Sequence, residues 1–544
     1  MQRKISVIMF SGIWIYPVSF GMMWLLYSSI YSSFHRGQAM PVNTIITIAA
    51  FALIPVGLVF IYNMYLLLTG MKTDFTFFGY FKKSKLSPKK VRAMYPAIDP
   101  KYLSNRPEGM ILGKYKNHYV RIPIDPFQVY HTLIVGPPGS GKSSGPLLCS
   151  LLANYIFDEP YAAVFCLDIK PELAKEATKT KGNPYVRVIS PDDRSGWGWD
   201  VYYGLTGYSS EDEILARLTL ISSSLITGDR SSPQFFVSSA QNIFCGMALY
   251  YFVQELSFLD TVQRIIGKEV SQHISTIITD EEYCRPDSRI YALLNRYNGI
   301  SGDAWDNICM YLQGSIQSFL TSDVRYMLQD NPRKADPRNL EQKISVFLSF
   351  PEESLKHYRT VLNLITAQTL DYLQGRHHYS GNMIYLIIDE FARIGRLDGI
   401  LDSLATLRSR QVSIVLAVQD LSQLRTIYSR DEALTIVNLC KALCVLDCQD
   451  LDTCRMISAM AGTYVDDNVT YSGNFINRTS RTSFGSIDKN VLDVADLQTL
   501  SSTGEAVIII AGRYYRIRKA FYKTDPVLGP LHKEVLRYNS LHSF

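Results

Sequence analysis

The octet Gly136-Pro-Pro-Gly139-Ser-Gly141-Lys142-Ser143 has the residue types and the spacing to hold a chain of phosphates. Its glycines let backbone N–H groups curl around phosphate oxygens, and a helix starting just after would add a favourable dipole. Lys142 would reach the β- and γ-phosphates of a nucleotide, while Ser143 would ligate Mg2+. The candidate cofactor-binding set for ATP and Mg2+ is therefore Gly136, Pro137, Pro138, Gly139, Ser140, Gly141, Lys142, Ser143 and Ser144. Such a loop needs a second carboxylate on the metal side. The run Ile384-Tyr-Leu-Ile-Ile-Asp389-Glu390 supplies it, as a buried strand ending in two acids. Asp389 would hold the metal through water, and Glu390 would polarise the attacking water. Gln419 ends the next apolar run, at the sheet edge where ligands collect, and suits a γ-phosphate sensor. Arg408 and Arg410 lie on a helix candidate between the two. They are either a cation for phosphoryl-transfer charge or a solvated helix face.

These residues need strands to present them. Apolar runs short enough for parallel strands occur at 130–135, 162–167, 344–350, 383–388, 413–418, 442–447 and 505–510. Helical patterns separate most of them, which predicts an α/β fold with a parallel sheet wrapped by helices. Between 207 and 328 strand signals fade, and helices are predicted at 211–225, 239–254 and 257–266. That stretch reads as an all-helical insertion.

At 544 residues the chain exceeds one ordinary core. Apolar residues make up 47% and charged residues 19%, and a net charge of +5 does not by itself point to nucleic acid. Two stretches without Asp, Glu, Lys, Arg or His, 5–34 and 37–71, are each long enough to span a bilayer. Arg3 and Lys4 precede the first, only Arg36 lies between, and Lys72, Lys82, Lys83, Lys85, Lys89, Lys90 and Arg92 follow the second. Positive charge stays inside, so both termini are expected in the cytoplasm. A cleaved signal peptide fits less well, because the first run exceeds its usual apolar core and a second run follows at once. The nine cysteines include no CxxC pair, and Cys440, Cys444 and Cys448 read as small core residues rather than metal ligands. The expected divisions are a membrane domain at 1–71, a first nucleotide-domain part with its linker at 72–206, the insertion at 207–328, and a second nucleotide-domain part at 329–544.

The phrases HTLIVGPPGSGKSSG (131–145), LDIKPELA (167–174), ISVFLSFPEESL (344–355), IIDEFARIGRLDGI (387–400) and VLAVQDLSQL (415–424) resemble the type IV secretion coupling proteins. These are the TraG/TraD-like ATPases of bacterial conjugation. The resemblance runs over nearly the whole chain, and the DEFxxxGxL run from Asp389 is its most specific part. It implies a RecA-like motor that forms a hexameric ring at the inner membrane. Such a ring delivers relaxase-bound single-stranded DNA or effector proteins to a secretion channel. It also implies that Arg408 enters a neighbouring subunit's site and that Gln419 is the sensor. Two places depart from the family pattern. Pro171 replaces the glycine of a Lys-Gly-Glu motif, leaving Asp168, Lys170 and Glu172 without a clear role, and Trp199-Asp200-Val201 stands where an Asn-Pro pair is usual.

Rival classes meet obstacles in the residues. A membrane-bound ATPase protease needs an HExxH helix, which is absent. A chromosome translocase is expected to carry about four spans and a winged helix after the motor. A non-hydrolysing docking receptor would not need Glu390. No RRM, zinc-finger or helix-turn-helix pattern appears, and Lys and Arg are scattered.

Overall fold

The structure is a computed structural model that describes residues 20–31, 42–68, 98–157, 159–228, 233–378, 381–397, 399–474 and 479–542. The chain divides into two compact units, 1–91 and 92–544. In the first unit, residues 20–31 are helical and a second helix covers Val42–Leu68. Its side chains are described at 42–54 and at Leu58, and over the described residues no helix is long and apolar enough to cross a membrane. The spans expected at 5–34 and 37–71 are therefore not shown. The basic residues behind the expected topology, Arg3, Lys4, Arg36, the lysines from Lys72 to Lys90 and Arg92, lie outside the described residues.

The second unit is built on one twelve-stranded sheet. In chain order its strands are β1 (Leu103–Ser104), β2 (Met110–Tyr115), β3 (His118–Ile122), β4 (Thr132–Val135), β5 (Ala163–Asp168) and β6 (Val186–Ile189). Outside the sheet lie β7 (Gly198–Trp199) and β8 (Lys334–Ala335), which pair with each other. The sheet resumes with β9 (Ser345–Ser349), β10 (Ile384–Ile388), β11 (Val412–Val418) and β12 (Ala442–Val445). A separate hairpin, β13 (Thr463–Asn474) and β14 (Thr479–Asn490), precedes the last two sheet strands, β15 (Glu505–Ile510) and β16 (Arg513–Arg518). The spatial order is β1-β3-β2-β16-β15-β12-β4-β11-β10-β5-β9-β6.

From β12 to β6 every neighbouring pair is parallel. The expected parallel sheet is corrected beyond β12, where β15, β16, β2, β3 and β1 join antiparallel and make the whole sheet mixed. For the last two strands a short connection explains this. Ala511 and Gly512, both at positive φ, join β15 to β16, and a two-residue link can only make an antiparallel pair.

The parallel strands are apolar on both faces because both faces are covered. Leu133 and Val135 of β4 enter one core while Ile134 enters the other, the alternation a pleated strand imposes. The first core continues into the helices between β7 and β8. Ile214, Leu218, Ile221 and Leu225 recur on one face of the helix Glu211–Leu225, which starts with a capping box between Ser210 and Glu213. Among the described residues, all regular structure from 200 to 325 is helical. The parallel pair Gly198↔Lys334 and Trp199↔Ala335 clasps the two ends of this segment. Buried Trp199 donates from Nε1 to Gln368 Oε1 at 2.8 Å, and Gln368 donates to the Val201 carbonyl at 2.7 Å. At the departure Trp199-Asp200-Val201 the chain turns, and the Asp200 carboxylate accepts from the Tyr202 N–H at 3.1 Å. Cys440, Cys444 and Cys448 are buried thiols.

Candidate active site

Parallel register brings the carboxyl ends of four strands to one edge. Val135 of β4 faces Val418 of β11, and Ile388 of β10 faces both Leu416 of β11 and Leu167 of β5. The residues that follow these ends, Gly136, Gln419, Asp389 and Asp168, therefore meet along one line. The Gly136 N–H donates to the Val418 carbonyl at 3.1 Å, and the Asp389 N–H to the Leu167 carbonyl at 3.2 Å.

The loop after β4 is held open by Gly139 at φ +80° and Gly141 at φ +98°, angles that favour glycine. Past it, Pro146 cannot donate, so the first turn, Ser143–Leu147, is wide and the α-helix proper is Leu148–Asn154. The Leu147 N–H then reaches back to the Lys142 carbonyl at 3.3 Å. Among the described residues, the N–H groups of Gly139, Gly141 and Lys142 have no acceptor, and buried Ser140 Oγ has no partner. Free donors on a curled loop fit the oxygens of a phosphate chain.

Lys142 is buried and donates to the Gly136 carbonyl at 2.7 Å, with Glu390 Oε1 3.7 Å away. Burial lowers its pKa, against the pull of Glu390 and Asp389. Ser143 Oγ donates to Asp389 Oδ2 at 3.2 Å. Burial raises the Asp389 pKa, and the neighbouring Glu390 adds to the rise. A hydroxyl and a carboxylate facing each other beside a phosphate loop make a donor set suited to Mg2+. Glu390 follows in the left-handed region, at φ +50°, a conformation that residues other than glycine seldom adopt. Gln419 Nε2 donates to its Oε2 at 3.1 Å, and Gln423 donates to Gln419 Oε1 at 3.2 Å. The structure thus brings together Lys142, Ser143, Asp389, Glu390 and Gln419.

Arg408 is not among them. It sits on a short turn, Leu407–Arg410, that precedes β11, so it lies at the amino edge of the sheet. Seven residues of strand, roughly 20 Å, separate that edge from Gln419. Arg408 is exposed, whereas Arg410 is tied down by donating to the Arg376 carbonyl at 3.2 Å.

Sequence reasoning missed one neighbour of Glu390. Lys170 Nζ lies 3.4 Å from Glu390 Oε1. Its motif is visible in the chain, but only the β5–β10 pairing shows which carboxylate it meets. Asp168 has a structural role: its carboxylate accepts from the N–H groups of Glu172 and Ala174, both at 3.3 Å, and so holds the turn into the helix Leu173–Ala177. Burial pushes it up to about 7, opposed by the Ala174 N–H and helped by the charge of Asp389.

Fold and site together give a phosphate-loop arrangement at the carboxyl edge of a mixed α/β sheet. Residues 383–502 match a family model described as the TraM recognition site of TraD and TraG. No curated protein matches the chain. Among solved structures, the unbound bacterial conjugative coupling protein TrwBdeltaN70 is 15% identical and has a TM-score of 0.59, over 81% of this chain and 94% of that one. TrwB in complex with the non-hydrolysable ATP analogue ADPNP gives 15%, 0.58, 81% and 95%. TrwB in complex with ADP and Mg2+ gives 15%, 0.56, 81% and 95%. The resemblance to the TraG/TraD-like coupling proteins is borne out, by the family segment over 383–502 and by a shared fold over most of the chain.

Proposed function

We propose that this chain is the coupling ATPase of a type IV secretion system, a motor that spends ATP, with Mg2+, to pass substrate into the channel. The observation that supports this most is the pairing across strands. Ser143 lies 3.2 Å from Asp389 and Lys142 3.7 Å from Glu390, so the phosphate loop already faces its two acids. The complexes of TrwB with ADPNP and with ADP and Mg2+ agree with this choice of cofactors.

In this reading the free N–H groups of Gly139, Gly141 and Lys142 receive phosphate oxygens. Lys142 exchanges the Gly136 carbonyl for the β- and γ-phosphates, and Ser143 with Asp389 would hold the metal. When bound, Mg2+ would supply neutralisation of phosphate charge. Glu390 takes the proton of the attacking water, and Gln419, by its bond to Glu390, aims that carboxylate and reports the γ-phosphate. Arg408 acts on the site of a neighbouring copy in a homo-hexamer. The substrate is relaxase-bound single-stranded DNA, effector proteins, or both, and the helices within 207–328 form the docking module between the two nucleotide-domain parts. The family segment named for TraM recognition supports contact with relaxosome proteins. The uncharged stretches 5–34 and 37–71 anchor the ring in the inner membrane, with both termini in the cytoplasm.

The test is ATP hydrolysis by the full chain in detergent, with and without a single-stranded oligonucleotide. Hydrolysis stimulated by the oligonucleotide and absent from Lys142→Ala is expected. Activity that survives Lys142→Ala would sink the site. Activity indifferent to the oligonucleotide, together with binding of secreted proteins, would leave a docking receptor instead of a DNA pump.

A further inference from the structure

After β16 the chain turns across the phosphate loop. Lys519 Nζ donates to the Ser140 carbonyl at 3.0 Å and to Ser501 Oγ at 3.2 Å. The Ala520 carbonyl packs on Gly145, where an added Cβ would meet it at 2.9 Å. The Phe521 ring packs on Gly141, where an added Cβ would meet it at 2.7 Å. Both ends of this strap are pinned. The Lys519 N–H donates to the Gly504 carbonyl at 3.0 Å, and buried Tyr522 donates to Glu176 at 2.8 Å.

Phe521 is nevertheless 38% exposed. One part of its ring packs on Gly141 of the loop, and the rest is exposed apolar surface. The γ-phosphate end is fixed by Lys142, Asp389 and Glu390 on the side of β10. The α-phosphate end, and with it the ribose and base, must leave on the side where the loop enters its helix. That is the side the strap covers, against Gly141 and Gly145.

We infer that Phe521 is the base-stacking residue of the nucleotide site, held ready by Lys519 and Tyr522. This rests on the nucleotide reading above and adds a subsite to it. A stacked ring touches the π-face of a base and does not read its edge, so guanine and adenine nucleotides are expected to depend on it alike.

The experiment compares ligands with and without a base on the full chain in detergent. Competition titrations would measure ATP, GTP and inorganic tripolyphosphate on the wild-type, Phe521→Ala and Phe521→Tyr chains. Phe521→Ala should weaken ATP and GTP on the order of ten-fold and leave tripolyphosphate unchanged, with Phe521→Tyr close to wild type. Equal weakening of tripolyphosphate would show that the ring only supports the loop, and would overturn the inference. So would an unchanged ATP affinity in Phe521→Ala. Failure of the wild-type chain to bind either ATP or tripolyphosphate would remove the nucleotide site itself, and the subsite with it.

Discussion

Glu390 is held by three side chains at once: Lys142 at 3.7 Å, Lys170 at 3.4 Å and Gln419 at 3.1 Å. Its backbone is at φ +50°, so the carboxylate is aimed by a strained link as well as by its partners. A carboxylate so placed is fixed in position beside Lys142, and its part in the reaction should separate from binding. Glu390→Gln keeps the shape and the bond to Gln419 but cannot take a proton. We expect hydrolysis to fall by roughly 10²- to 10⁴-fold while ATP still binds, measured by turnover and by titration of the same preparation. A parallel loss of affinity would mean that Glu390 serves the fold of the loop and not the reaction.

At the scale of elements, what positions the site is the packing of β4 between β11 and β12. His131 helps to fix it, since its Nδ1 accepts from the Ile414 N–H at 2.9 Å at the amino end of β11. The ring is buried, and burial, with the nearby charge of Arg408, lowers its pKa to about 4. An unfolded histidine titrates near 6.5, so between the two values the unfolded chain binds more protons. Stability from this group is therefore full above about pH 6.5 and is lost as pH falls towards 4, by about 2 kcal/mol at pH 5. Denaturant midpoints at pH 7.5 and pH 5 would check it. The drop between them should be smaller in His131→Gln than in the wild type, and an identical drop would rule this contribution out.

At the scale of the whole molecule, Arg408 decides whether one chain is enough. It lies at the amino edge of β11, roughly 20 Å from the carboxyl edge where the phosphates are read, and cannot reach its own site. If it completes a neighbour's site, two defective chains can repair each other. Arg408→Ala and Lys142→Ala should each be inactive alone, because one lacks the cation at every site and the other the lysine. Mixed before assembly, they create some sites with an intact Lys142 facing an intact Arg408, and hydrolysis should return to a fraction of wild type. A mixture as silent as its parts would assign Arg408 to a solvated surface.

The sequence alone determined what is local. The phosphate loop is contiguous, so residue type and spacing state its chemistry, and apolar runs such as 505–510 name strands because burial on both faces demands them. The helix Glu211–Leu225 was legible to its ends, since its capping box and its apolar spacing lie in neighbouring residues. The hairpin Thr463–Asn474 with Thr479–Asn490 was not, because its polar strands pair only with each other and show no apolar run. Tertiary structure decided what depends on strands distant in the chain: that β15 pairs antiparallel with β12, that Lys170 meets Glu390 across 220 residues, and that Phe521 lies on Gly141. Register in a sheet is set by the packing of the whole core, and no local pattern encodes which strand ends will meet.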